Sequence, residues 1–229
     1  MGRASVSLIL IFILAVALTP TRCWSENEFA DVTFPISGKL HVEAHSSLHE
    51  PGSSPFLLFK KGNVSIKQFN FGLGKDYSNE VLKEFRFPAR VKVVSLTGIN
   101  TPLVVGVVGV PGGSDSSFET MIIGETGGAL HDLLSKHPTT NIEDAVCLGL
   151  FGKDPKPLLL VAKFIWAADE AHPVPHRYNV MKYSWNGHAF SEISKETTKL
   201  KHSAGLDALE ELGYQCKEDV TETLAPDVR

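Results

Sequence analysis

Two stretches of this chain, 90–140 and 141–200, are punctuated in the same way, and that recurrence restricts what the chain can fold into. Leu96-Thr97-Gly98 matches Leu150-Phe151-Gly152 at an offset of 54 residues, and Pro102-Leu103 matches Pro157-Leu158 at 55. Met121, Gly127, Ala129 and the acid Asp132 match Met181, Gly187, Ala189 and the acid Glu192 at 60, without a gap. The extra residues of the second copy fall in 167–177, which reads as a loop, where insertions are tolerated. Two meanders of one β-sandwich would share the apolar matches because all antiparallel strands alternate. That alternative explains the paired glycines and prolines less well, so a repeat is the preferred reading.

The apolar residues come in short runs bounded by Gly, Pro, Asn and Asp, which is a strand pattern. The first copy holds candidate strands at 91–96, 103–110, 120–123 and 130–134, and the second at 145–150, 158–166, 178–184 and 189–193. Upstream, 31–36 and 39–45 form an opening pair around Ser37-Gly38, and 56–59 and 64–71 read as a hairpin through Lys60-Lys61-Gly62-Asn63. Residues 75–84 are polar and suit a loop or a short helical turn. One helix is expected at 204–212, capped by Ser203, striped by Leu206, Leu209 and Leu212, and stopped by Gly213. The expected fold is mostly β: antiparallel sheets, two degenerate four-stranded propeller-blade-like repeats and one short C-terminal helix. The organisation reads as a leader (1–24), an N-terminal β-hairpin region (25–89), repeat 1 (90–140), repeat 2 (141–200), the helix (201–217) and a loose acidic tail (218–229).

The frame Leu-x-Gly, Pro-Leu, an aliphatic strand and a later strand ending in Trp185-Asn186-Gly187-His188-Ala189-Phe190 resembles the FG-GAP or VCBS-type repeats of exported β-propeller proteins. The resemblance covers about residues 90–195 and implies a β-rich, exported, non-enzymatic chain. In that family the turn after the first strand usually carries an Asp-rich calcium loop. Here the corresponding turns keep only Asn100 and only Asp154, and one oxygen ligand per loop does not suit calcium, which takes six to eight. Two copies are too few for a closed ring, which has at least four blades. Residues 31–71 can furnish a third, degenerate set. The expected outcome is an open stack of antiparallel sheets, a sandwich-like domain, or a closure completed by another chain.

The address is read from the first 24 residues. Arg3 precedes an apolar run from Ala4 to Leu18 broken only by Ser5 and Ser7, followed by Thr19-Pro20-Thr21-Arg22, the layout of a secretory signal peptide. The run is short for a membrane span, and an uncleaved anchor is the alternative. Arg22 before Cys23 argues against bacterial lipid attachment. The expected location is secreted or periplasmic. Without the leader, 20 basic residues face 26 acidic ones, a net of -6 against -4 for the whole chain, with no basic stripe; nucleic acid is thereby an unsuitable partner. Cys147 and Cys216 remain, and in an oxidising compartment they either pair or stay as two buried thiols. Asn63-Val64-Ser65 is a glycosylation sequon for a eukaryotic host.

Few chemistries fit. His41, Glu43 and His45 alternate on one strand face, with His49 four residues on; two histidines and a carboxylate so placed suit zinc, or equally the wet face of an edge strand. The loop holding Asp169, Glu170, His172 and His176, stiffened by Pro173 and Pro175 and flanked by Trp166 and Trp185, suits recognition of a glycan or peptide, or is an exposed linker. Ser114 in a Gly-rich turn shows no oriented base, and the nucleophile-elbow, His-Glu-x-x-His and phosphate-loop motifs are missing. No cofactor is implied. The reading is an exported binding or structural module, with protein or glycan partners and possible edge-strand association; the alternative is a small exported metal-dependent hydrolase using His41, Glu43 and His45.

Overall fold

The alternation seen in the sequence sorts each strand into an apolar and a polar face, and the fold follows from burying the apolar ones. The computed structural model describes residues 27–46, 54–72, 89–110, 117–152, 154–167, 174–216 and 219–220. Strands β1 (Asn27–Phe34), β2 (Gly38–His45), β3 (Phe56–Lys61) and β4 (Val64–Asn70) form a first antiparallel sheet in chain order. A middle sheet runs β5 (Ala89–Val94), β6 (Leu103–Val110), β7 (Ser117–Thr126), β8 (Ala129–Asp132), with the short β9 (Thr139–Asn141) also pairing with β7. A third runs β10 (Ala145–Gly149), β11 (Leu158–Phe164), β12 (Tyr178–Trp185), β13 (Phe190–Thr197), followed by helix α1 (Gly205–Glu211). No helix among the described residues is long and apolar enough to cross a membrane.

The three sheets are layered face to face. Val32, Phe34, Leu40, Val42, Leu57 and Phe59 of the first sheet meet Val104, Val108, Met121 and Ile123 of the middle one. Val105, Val107, Phe118 and Ile122, on the other side of the same middle strands, meet Val146, Leu159, Val161, Trp185 and Phe190 of the third. The far face of the third sheet, with Cys147, Leu160 and Tyr178, is covered by Ala208 and Leu209 of α1. Burial on both sides explains why Leu103–Val110 is a continuous apolar run, whereas β2, wet on one side, alternates. Gly106 lets the layers close up, since a Cβ there would lie 2.6 Å from Leu57 Cδ1.

The cross-strand register repeats at the spacings read from the sequence. Val94 opposes Leu103, and Gly149 opposes Leu158, both 55 residues further on. Gly106 opposes Met121, while Val161 opposes Met181, shifts of 55 and 60. Ile123 opposes Asp132, and Tyr183 opposes Glu192, both shifted by 60. Gly98, Gly127, Gly152 and Gly187 all have positive φ, so the paired glycines serve turns of corresponding position.

Several expectations are corrected. The four strands read in the opening region join in one sheet, with β1 starting at Asn27 instead of Asp31, and Pro35 and Ile36 belong to the turn. β7 extends to Thr126, and β9 has no counterpart in the reading above. The tail is tied down in part: Asp219 bridges Cys147, the Val220 amide donates to the Val146 carbonyl (2.8 Å), and both residues are buried. The segments 75–84 and 221–229 lie outside the described residues.

Ser203 is not the helix cap. The N-cap is Ala204, without a side-chain hydrogen bond, because the first turn is seated on the sheet through its backbone: the Gly205 amide donates to the Glu143 carbonyl (2.7 Å). A Cβ on Gly205 would lie 2.6 Å from the Ala145 backbone nitrogen, which has no room to yield. Gly205→Ala should therefore lift α1 and cost about 2–3 kcal/mol. Urea unfolding is the measurement, and an unchanged midpoint would refute the close contact.

Candidate functional site

The outer face of the first sheet is built by the alternation of β2: Leu40, Val42 and Ala44 point inward, and His41, Glu43 and His45 outward. β1 sets Asp31 opposite His41 and Phe29 opposite Glu43; β3 sets Lys60 opposite His41, Leu58 opposite Glu43 and Phe56 opposite His45. The face has two ends. At the hairpin end, an open depression of about 560 Å³ is lined by Asp31, Lys39, His41, Glu43, Lys60, Gly62 and Asn63. At the other end, His45 stacks on Phe56 with ring centres 4.4 Å apart; between the two ends Phe29, 52% exposed, stacks at 5.3 Å on His41, a wall residue of the depression.

Charges in the depression are paired internally. Asp31 bonds Lys39 (2.7 Å) and the Nδ1 of His41 (2.9 Å), and those hydrogen bonds hold its carboxyl below the usual range. Burial opposes ionisation of Glu43, but hydrogen bonds from Lys60 (2.6 Å) and from the Nε2 of His45 (2.8 Å) outweigh it and lower its pKa. Both carboxylates are thus ionised at neutral pH, each with one contact to a lysine and one to a histidine ring.

This bears on the zinc reading. The structure does bring His41, Glu43 and His45 to one face, yet it divides them between two ion pairs. No three His, Cys, Asp or Glu side chains among the described residues are grouped to hold a metal ion.

Comparison with family models, curated proteins and solved structures returns no match.

The other candidate residues are dispersed. Trp185 is 9% exposed and packs between the middle and third sheets, because its strand face looks into the stack rather than toward solvent. His176 is 1% exposed; its backbone pairs with His202 and its ring stacks on Phe164 at 5.0 Å. Both are packing residues, which corrects the recognition-loop reading for them. Trp166 is half-exposed at the edge of the same aromatic group. Asp169, Glu170 and His172 lie outside the described residues, as do Ser114 and Cys23. Asn100 is exposed, and Asp154 pairs with Lys182 (3.3 Å). Cys147 and Cys216 are joined in a disulfide, with Cα atoms 5.9 Å apart.

Two polar clusters escape sequence reading. Glu125 of β7 accepts hydrogen bonds from the Ile36 and Ser37 amides (2.9 and 2.7 Å) and from the Ser37 hydroxyl, gripping the β1–β2 turn. At the other end of the same strand, Glu119 accepts from the Gly72 amide (2.8 Å) and from His137, whose second ring nitrogen meets Asp132 (both 2.5 Å). Burial opposes charging of His137, but the two carboxylates prevail and raise its pKa to about 9. The signal available was two glutamates at inward positions of an otherwise apolar run, Phe118 to Thr126.

Proposed function

We propose that the chain is an exported, non-enzymatic binding or structural module built on propeller-type β repeats, which presents the outer face of its first sheet to a protein partner outside the cytoplasm. The leader, the disulfide and the repeated register support this reading, as does the FG-GAP or VCBS resemblance. The observation that carries it is the asymmetry of the stack. The outer face of the third sheet is covered by α1, whereas that of the first carries the half-exposed Phe29, stacked on His41, and the His45–Phe56 stack, the aromatic composition favoured at the centre of protein interfaces.

Affinity capture from the exported fraction, with wild type and Phe29→Glu side by side, tests it. A discrete partner should be recovered by the wild type and depleted roughly tenfold by the variant, the effect of losing one anchor. The variant should stay folded, since Phe29 is on the open face, with a small drop in melting temperature from setting a second carboxylate opposite Glu43. Equal recovery by both proteins would sink the proposed surface.

A further inference from the structure

The motif that the binding reading leaves unused is the sequon. Asn63-Val64-Ser65 is the sole Asn-x-Ser/Thr sequence with a non-proline middle residue in the chain, since Asn100-Thr101 runs into Pro102. We propose that Asn63 carries an N-linked glycan whose first sugars lie in the polar depression of the first sheet. The proposal rests on the export half of the reading above and not on the partner.

The fold presents the sequon in an accessible form. Lys61 and Val64 close the β3–β4 hairpin as an opposed pair, leaving Gly62-Asn63 as a two-residue turn. Gly62 has φ +59° and no non-glycine residue among the described residues has positive φ, the pattern of a type II′ turn, with glycine first and Asn63 second. Asn63, Val64 and Ser65 are all exposed, and a Cβ on Gly62 would meet nothing within 4 Å. A transferase can therefore reach the side chain on the finished hairpin. In the reaction the Asn63 amide nitrogen bonds to the anomeric carbon of a lipid-pyrophosphate-linked oligosaccharide. The bond from that carbon to the pyrophosphate oxygen breaks, the amide loses one proton, and the lipid pyrophosphate leaves; no oxidant or reductant is needed.

The depression gives the sugars somewhere to rest. Asn63 and Gly62 form part of its wall, and Asp31, Lys39, His41, Glu43 and Lys60 supply donors and acceptors of the kind that meet sugar hydroxyls. Phe29 and Phe56 are not in its lining. A glycan there covers the hairpin end of the outer face and leaves the His45–Phe56 stack open.

The test is expression of the full chain, leader included, in a eukaryotic secretory cell, followed by peptide-N-glycosidase digestion. The wild type should drop in mass by one glycan, Asn63→Gln and Ser65→Ala should migrate like the digested protein, and Ser65→Thr should keep the glycan. A secreted chain with the Cys147–Cys216 bond formed but no shift on digestion would overturn the acceptor. A chain retained with free thiols would overturn export as well, which keeps the two failures apart. Placement of the sugars is read by amine acylation: Lys39 and Lys60 should label severalfold more slowly in the glycosylated protein than in Asn63→Gln. Equal labelling would overturn the resting site.

Discussion

Replacing His137 by alanine should cost about 2–4 kcal/mol, the penalty for stranding a largely buried pair of carboxylates. The imidazolium links Glu119 on β7 to Asp132 at the end of β8, and Glu119 also holds the Gly72 amide just past β4. The variant therefore loosens the corner where the first sheet meets the middle one. It should also alter the pH dependence. The folded pKa, about 9, lies above the ordinary 6.5, so the stabilisation is complete below pH 6.5 and is lost as the pH rises through 9. Discounted for partial solvent screening, the loss is about 2 kcal/mol. Thermal melts from pH 6 to 10 should fall along this window for the wild type and run flatter for His137→Ala. Parallel curves would show that His137 is not charged in the folded protein.

The second large effect belongs to the disulfide. It closes a loop 69 residues long in sequence separation, worth about 4 kcal/mol on the chain-entropy account. For a chain of this size that is about 10 °C in melting temperature. Cys147 is fully buried on β10, and Cys216 lies between α1 and the Asp219–Val220 pairing that covers the open edge of β10. Reduction, or Cys147→Ala with Cys216→Ala, should first release this C-terminal strap. Hydrogen exchange at the Val220 amide, bonded to the Val146 carbonyl, should accelerate before the amides of β6 and β7 respond. A reduced protein that melts at the oxidised temperature would remove the bond from the account of stability.

The sheets were legible because turns and alternation are local signals. Gly98, Gly127, Gly152 and Gly187 mark turns through their backbone conformation, and fixed turns carry the register with them, so offsets read from residue matches reappear as strand pairings. The outward set His41, Glu43 and His45 was legible for the same reason. What local signals do not carry is the depth of a face within the stack. Trp185 and His176 look like loop-flanking recognition residues until the middle sheet covers Trp185, and the Phe164 ring and the His202 backbone pack His176. The Glu119, His137 and Asp132 cluster was hidden because its members come from β7, β8 and the segment before β9, with Gly72 added from beyond β4. The helix cap failed because the Gly205 amide donates to the Glu143 carbonyl in the turn between β9 and β10, a tertiary contact that overrides the preference for serine.

The middle and third sheets are apolar on both sides, while the first has one apolar side, so the three sheets are not interchangeable parts. A duplicate of residues 89–132 would bring two faces that shun water and would need a neighbour on each. A duplicate of residues 27–72 would need only one. Growth of the architecture by one layer is therefore possible on the side of β1 to β4 after a rewriting of its wet face, and blocked on the side where α1 sits. Position in the pile thus dictates which faces of each sheet are apolar, whatever turns the sheets share.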